Sequence, residues 1–569
     1  MALLGASFQI GRSALAAYQA AIAVTGQNVA NVSNPDYARQ SSRLQSLRGG
    51  LDRPGLAPGG GVRLAALTRH IDSALESRLR FASATRTRAE TTQRALAQVE
   101  TSYAELGDGD LSTRLSEFFS TFGQLQTNPS DMGLRNLVVG GADALSRSFN
   151  RIRTGLLDQT SNLNNQVVDA AQNAGQLADE VASLNVLIVQ QEADGTTAGA
   201  LRDRRDAVIR DLGSIMDVQV REVDSGAVNI FVGSEPLVEF DRSRGLSVER
   251  VVDNGLEVTK VSFADNGGSV RVREGVLAGV LDARDVQIRD QLNRLDQLAR
   301  GVIFEVNRIH STGVGLVGYE SATGDYAVTN PDAALNTPQA GLAFPVQNGS
   351  IIVKVRNRNT GQVTTRQVEV DLDGLNGDDM SLRDLATALN GVPGMSANVT
   401  ADSKLQLDAA NGNEFYFADD SSGALAALGV GGFFSGTSGS DIAIKPELRA
   451  DRRLIAASQS GGVSDGDNAG RLALLASNTK TSALLNNISI QDFHAEMVDD
   501  LSVATAGAQN DFDAADAVFS GLSAQRESVS GVSLDEEAVN LTKFERAYQG
   551  AARFLTVLDD LSTELLALV

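Results

Sequence analysis

The sequence predicts a mainly α protein with β inserts, an α+β chain with terminal coiled-coil helices and a long helical rod carrying two β-rich modules. Three observations carry that expectation. Apolar residues recur at alternating spacings of three and four at both ends of the chain. Helical periodicity is interrupted twice by stretches in which apolar and polar residues alternate. Aromatic residues are scarce, 5% with no Trp, which favours helices packed through small side chains.

At the N-terminus, Leu4, Phe8, Gly11, Leu15, Tyr18, Ile22, Thr25 and Val29 form a heptad seam, with Ala14, Ala16, Ala17, Ala20 and Ala21 beside it. Asn34-Pro35 ends this helix, because the residue before a proline avoids the α region. The C-terminal segment has a matching seam: Leu541, Phe544, Tyr548, Ala551, Leu555, Leu558, Ser562, Leu565 and Val569. Ser533 followed by Glu536 predicts a capping box, and Asp535, Glu536 and Glu537 suit the positive end of the helix dipole. A lone amphipathic helix is marginal in water, so the simplest partner for each terminal helix is the other.

Between the ends, periodicity predicts helices over 72–106, 111–126, 134–191 and 198–212. Alternation over 218–261 predicts a small β-domain, and helix returns over 276–310. A second β-rich insert covers about 311–450. In it "IIVKV" and "VTTRQVEV" flank an Asn-Thr-Gly turn, and Ser381, Asp384 and Gly391 bracket a short helix. After Leu454 the chain is helical again, with a gap at 461–470. The expected domains are 1–33 with 532–569 as an inner coiled coil, and 34–215 with 275–311 and 455–531 as a helical rod. Residues 216–274 form one β-rich module and 312–454 an outer β-rich insert. At 569 residues the chain exceeds a single core, in keeping with several domains.

A net charge of −22 argues against nucleic acid or an anionic membrane as partner. The charge is uneven. Residues 1–100 hold 12 Arg and 6 acidic groups (12 − 6 = +6), and residues 470–569 hold 6 basic and 15 acidic groups (6 − 15 = −9). The asymmetry reads either as two solvated surfaces of different sign or as ends that attract one another, within the chain or between neighbouring copies. With no Cys, disulfides and thiolate chemistry are excluded. No apolar run approaches the ~18–20 residues that span a bilayer, and the first residues lack the basic n-region of a cleaved secretory signal.

No catalytic constellation emerges. Gly313-Val-Gly-Leu-Val-Gly318 matches a dinucleotide-binding pattern but follows a predicted helix rather than a strand, a chance match in a chain with 55 Gly. Gly462-Val-Ser-Asp-Gly466 matches a nucleophile elbow, yet its upstream segment is a poor buried strand, and His70, His310 and His494 are isolated in sequence. The Asp-rich turns at 371–379 and 465–467 do not fit a calcium loop. No enzyme activity, cofactor or metal is expected.

"NVANVSNPDYARQ" (residues 28–40) resembles the N-terminal signature of bacterial flagellar axial proteins: rod, hook and hook-associated. "SGVSLDEEAVNLTKFERAYQGAARFLTVLDDLSTELL" resembles the C-terminus of the hook-associated branch. "LRDRRDAVIRDL", "LARGVIFEVNRIHSTG" and "SLRDLATALNGVPGMSANVT" resemble its middle segments. The resemblance implies a structural subunit at the junction between hook and filament. Its terminal helices would line the axial tube and order on assembly, and its β-modules would face outward. It implies copies of the chain itself, hook protein and the second hook-associated junction protein as partners. It also implies a flagellar export chaperone on the C-terminal helix, and type III export without signal cleavage to an extracellular flagellum. The assembly interface would comprise Leu4, Phe8, Leu15, Tyr18, Ile22, Val29, Leu541, Phe544, Tyr548, Leu555, Leu558 and Leu565, with Asn34, Pro35 and Tyr37 setting the exit from the inner helix. The alternative is a secreted surface adhesin whose outer insert binds a ligand.

Overall fold

A computed structural model of the chain describes residues 2–47, 59–104, 110–193, 197–375, 377–477 and 483–567. The order begins with α1 (Ala2–Ala30), β1 (Gln40–Leu47), β2 (Gly61–Arg69), α2 (Ser73–Ala104), α3 (Leu111–Thr127), α4 (Met132–Glu192) and α5 (Gly199–Ile215). Six strands follow: β3 (Val218–Glu222), β4 (Val228–Val232), β5 (Glu235–Glu239), β6 (Arg242–Ser243), β7 (Leu246–Asp253) and β8 (Leu256–Phe263). Helix α6 (Val276–Asp282) continues through a π-helical stretch, Ala283–Ile288, into α7 (Arg289–His310). The second β region holds β9 (Ser321–Thr323), β10 (Gly349–Asn357), β11 (Val363–Val370), α8 (Leu382–Asn390), β12 (Met395–Val399), β13 (Leu405–Ala409) and β14 (Asn413–Asp420). It closes with α9 (Ala424–Leu428), β15 (Phe434–Ser435), β16 (Ala443–Ile444) and α10 (Pro446–Ala450). Then come α11 (Asp467–Leu474), α12 (Ile490–Ser530) and α13 (Leu534–Ala567). This is the α+β architecture expected from the sequence.

The chain forms two compact units. The first comprises 1–95, 161–283 and 507–569. Its β3–β6 sheet, in spatial order β3-β4-β5-β6, buries Val228, Ile230, Val232, Leu237 and Val238. Asn185 of α4 ties that sheet down, donating to Val228 O (2.8 Å) and Phe240 O (2.7 Å). The β7–β8 hairpin turns at Asn254-Gly255, both with positive φ (49° and 79°), the signature of a tight type I′ connection. Asn164 of α4 clamps it by donating to Glu257 O and accepting from Thr259 N. A separate apolar cluster joins Leu75, Leu79 and Ala82 of α2 to Leu522 and Phe519 of α12. Beside it, Arg86 lies over the rings of Phe512 and Phe519 and pairs with Asp516.

The second unit comprises 96–160 and 284–506. Its core gathers Phe118, Phe119 and Phe122 of α3 against Phe433 and Phe434, with His310 edge-on to Phe433. Five of the 20 Phe residues meet in this one place. The expected hairpin is β10–β11, to which β14 adds on the other side. The short helix α8 carries a full capping box between Ser381 and Asp384.

Two features differ from the expectation. Residues 40–47 and 61–69, within the stretch assigned to helical rod, pair as an antiparallel hairpin. "QSSRLQSL" is largely polar, and the hairpin stays half-exposed, so it lacks the buried-face alternation by which strands are recognised. The predicted 276–310 helix is interrupted by six π-helical residues that no periodicity marks. The expected end of the 72–106 helix lies outside the described residues.

Candidate assembly site

Helix α1 packs against α13 and against the β1–β2 hairpin, all within the first unit. Its buried positions are Gly11, Ala17, Ala21, Thr25 and Asn28, all small or polar. A Cβ built on Gly11 would lie 2.5 Å from Leu555 Cδ2, so glycine is what lets the Leu555 side chain seat against the α1 backbone. Near the other end of α1, Asn28 meets Glu537. Gly11 opposite Leu555 and Asn28 opposite Glu537 make the pair antiparallel.

The "NVANVSNPDYARQ" segment builds a buried polar cluster at the foot of this pair. Asn28, 1% exposed, donates through Nδ2 to Gln40 O (2.8 Å) and Glu537 Oε2 (3.0 Å). Its Oδ1 accepts from Tyr37 OH (2.7 Å) and Gln40 N (3.0 Å). Arg39 pairs with Glu537 Oε1 (2.9 Å) and Glu536 (2.6 Å), and its backbone N–H donates to Ser530 O. Glu537 is 2% exposed, a carboxylate tolerable there only because Arg39 and Asn28 satisfy it. Burial, with Asp203 and Glu537 nearby, pushes the Tyr37 phenol up to about 12, so it remains a hydrogen-bond donor. Asn34 and Pro35 are exposed; Asn34 O accepts from Tyr37 N and its side chain from Asp36 N, which shapes the turn that carries Tyr37 inward.

The predicted seam residues divide by face. Leu541, Phe544, Tyr548 and Leu555 are half-buried and Leu558 is buried. Leu4, Phe8, Leu15, Tyr18 and Ile22 are half-buried, while Val29 and Leu565 are exposed. Val569 lies outside the described residues. Because Ala14, Ala21 and Asn28 follow the heptad on the packed side, the larger Phe8, Leu15, Ile22 and Val29 sit at the margin of the contact. On α13, Phe554, Val557, Leu561 and Leu565 form a second apolar line at spacings of three and four, each 43–55% exposed. Four large apolar residues in one exposed line are a hallmark of a surface that a partner covers.

The sequence marks Tyr37 as an exit residue and Glu537 only as a partner of the helix dipole, and gives Asn28, Arg39 and Gln40 no role. The available signal was charge: an arginine just past the helix exit and three acidic residues opening the last helix. The complementarity of the two ends is realised in Arg39–Glu536, Arg39–Glu537 and Arg86–Asp516. The Ser533 cap also forms, with Glu536 N donating to Ser533 Oγ at 3.5 Å, although the Glu536 carboxylate turns to Arg39.

The enzyme-like motifs serve structure. A Cβ at Gly315 would lie 2.3 Å from Arg453 O, so this glycine admits neighbouring backbone rather than a phosphate. Ser464 is exposed, and among the described residues no hydrogen bond joins it to a histidine. Both nitrogens of His310 are engaged by backbone: Nδ1 lies 2.9 Å from Gly431 O, and Nε2 accepts from Ala456 N. Asp371, Asp373 and Asp379 cluster in one turn, where Asp373 and Asp379 accept the turn's own N–H groups.

Comparison with known proteins now places the chain. The model of the flagellar hook-associated protein FlgK helical domain matches residues 96–325, and that of the flagellar basal body rod FlgEFG protein C-terminal matches 524–568. Both models describe structural proteins of the flagellar axis. "Flagellar hook-associated protein 1" of Escherichia coli (strain K12) is 24% identical, the match covering 95% of this chain and 96% of the relative. The protein of the same name from Bacillus subtilis (strain 168) is also 24% identical, over 97% and 96%. A solved structure, "the flagellar hook junction protein FlgK from Burkholderia pseudomallei", shares the fold, with a TM-score of 0.54 and 15% identity over 80% of this chain and 100% of that one. The chain is thus similar over nearly its whole length to proteins named flagellar hook-associated protein 1, and two of its segments match flagellar family models.

Proposed function

We propose that this chain is the structural subunit joining hook to filament in the bacterial flagellum, assembled through intersubunit packing of its N- and C-terminal helices. Similarity to flagellar hook-associated and rod proteins supports a place in the flagellum as a self-assembling component with a structural rather than enzymatic role. The observation that carries the assembly mechanism is the α1–α13 pair, with Phe554, Val557, Leu561 and Leu565 left 43–55% exposed along α13. Copies stacked head to tail would cover that line and extend into a helical tube, since heterologous contacts whose rotation does not close generate open helical assemblies. Hook protein and the second junction protein are the neighbours at the two ends of such a tube. The proposed export route is the flagellar type III channel, with an export chaperone covering the apolar line of α13 until assembly. No helix among the described residues is long and apolar enough to cross a membrane.

The proposed interface is Leu4, Phe8, Leu15, Tyr18, Ile22 and Val29 with Leu541, Phe544, Tyr548, Leu555, Leu558 and Leu565, and with Asn34, Pro35 and Tyr37 at the exit. The adhesin alternative gains no support from the relatives found. Electron microscopy of cells lacking the protein tests the junction role: hooks without filaments are expected, and normal filaments would overturn it.

A further inference from the structure

We infer that the groove between α2 and the free edge of β3 receives an extended, acidic segment of a second copy of this chain; this rests on the proposal that copies of the chain assemble with one another. The sheet runs β3-β4-β5-β6, so β3 is an edge strand. Val223 N–H donates to Ala227 O where β3 turns into β4, and Gln219 and Arg221 lie opposite Phe231 and Asn229. Only every second residue of an antiparallel strand bonds a given neighbour. Gln219, Arg221 and Val223 therefore bond β4, while Val218, Val220 and Glu222 turn their N–H and C=O groups to the open side. On that side lies a cavity of about 340 Å³ between α2 and residues 218–221. Four consecutive residues line it, which an edge can do and one face of a pleated strand cannot.

Across the cavity α2 presents Arg80 and Phe81. Phe81 is 62% exposed. Arg80 is half-buried, yet among the described residues it makes no hydrogen bond or ion pair. Burial holds its guanidinium below the ordinary value in spite of Glu76 and Asp206 nearby, and those carboxylates are engaged by Arg526 and Arg69. Asp217 in the cavity wall is spent on the backbone N–H groups of Arg273 and Glu274. Arg221 adds a second cation, held over the Phe231 ring at 4.9 Å. An open backbone edge, an unpaired guanidinium and an exposed ring fit one kind of guest. It is an extended chain that adds to β3 by main-chain hydrogen bonds, sets a carboxylate on Arg80 and rests an apolar side chain on Phe81. Acidic groups exceed basic ones by 71 − 49 = 22 in this chain, so a second copy is well supplied with such segments. A bare edge pairs with any strand, and the cations restrict this one to acidic partners.

Photo-cross-linking in cells tests the groove. The full-length chain with Phe81→p-benzoylphenylalanine is expressed as a minority beside the wild-type chain, so that flagella assemble whatever the variant does. A parallel chain with Phe554→p-benzoylphenylalanine, on the α13 line, reports assembly independently. Irradiation at position 81 should give a covalent dimer of this chain, and mass spectrometry should place the joined peptide in a segment holding Asp or Glu. Arg80→Gln should lower that yield roughly tenfold, the worth of one charge-assisted hydrogen bond, and leave the yield at 554 unchanged. Val220→Pro should act likewise, because it removes an N–H on the open side, where an edge strand tolerates proline. Cross-linking between copies at 554 with none at 81 would overturn the inference and leave the assembly proposal standing. So would a yield at 81 unchanged by Arg80→Gln, or a cross-link at 81 to a different protein. Loss at both positions with Arg80→Gln would overturn it too, because Arg80 would then be serving the fold rather than a guest. No cross-link at either position in cells with normal flagella would sink the assembly proposal and this inference with it.

Discussion

At the scale of single residues, the most consequential side chains are polar groups in dry places. His310 is 1% exposed and beside the cations Lys445 and Arg135; burial drives its imidazolium down to about 4. Unfolded histidine, with its ordinary value near 6.5, binds a proton that folded His310 refuses. Its contribution is therefore complete above about pH 6.5 and is lost progressively as pH falls toward about 4, by up to about 3 kcal/mol. Thermal unfolding of the second unit should show that acid sensitivity, and His310→Asn should flatten it; an unchanged slope would contradict the assignment. At the helix pair, Gly11→Leu would force a branched side chain into the space of Leu555. Overpacking of this kind costs about 1–3 kcal/mol, and hydrogen exchange over α1 should accelerate accordingly while the second unit is untouched. The polar residues of the helix pair were largely hidden from the sequence. Tyr37 stood out beside a proline turn, but Asn28 and Glu537 are 509 positions apart, and no local pattern announces that they will share a hydrogen bond.

At the scale of elements, long helices and capped segments were the most legible. The periodicity of α4, the Ser381 box and the hairpin about Asn-Thr-Gly each follow from spacing that local physics enforces. The β1–β2 hairpin was not legible because its strands bury little. The packed face of α1 was only half legible: apolar size points to Phe8, Leu15 and Ile22, while close helix approach selects Gly11, Ala17 and Ala21. An apolar seam inferred from bulk alone will miss contacts that work through the absence of bulk. A carboxylate in the α13 seam tests the pairing at this scale. Leu555→Asp sets an unpaired charge in the half-buried contact with the α1 backbone at Gly11. It should leave the far-ultraviolet signature of the central helices and sheets intact yet abolish incorporation into flagella, scored by immunogold labelling. Wild-type labelling would count heavily against the pair as an assembly element.

At the scale of the whole molecule, a chain with two compact units carries its first and last helices together in one of them, with one apolar line left open. That arrangement concentrates assembly in about the first 30 and last 35 residues, lengths set by the two terminal helices, and leaves the β-rich regions outside the proposed contact. The central claim, that the paired terminal helices carry assembly, is tested most directly by electron microscopy of cells whose only copy lacks residues 534–567, with the folding of the remainder checked by circular dichroism. Bare hooks with no filaments are the predicted result; filaments of normal length and number on those hooks would contradict it.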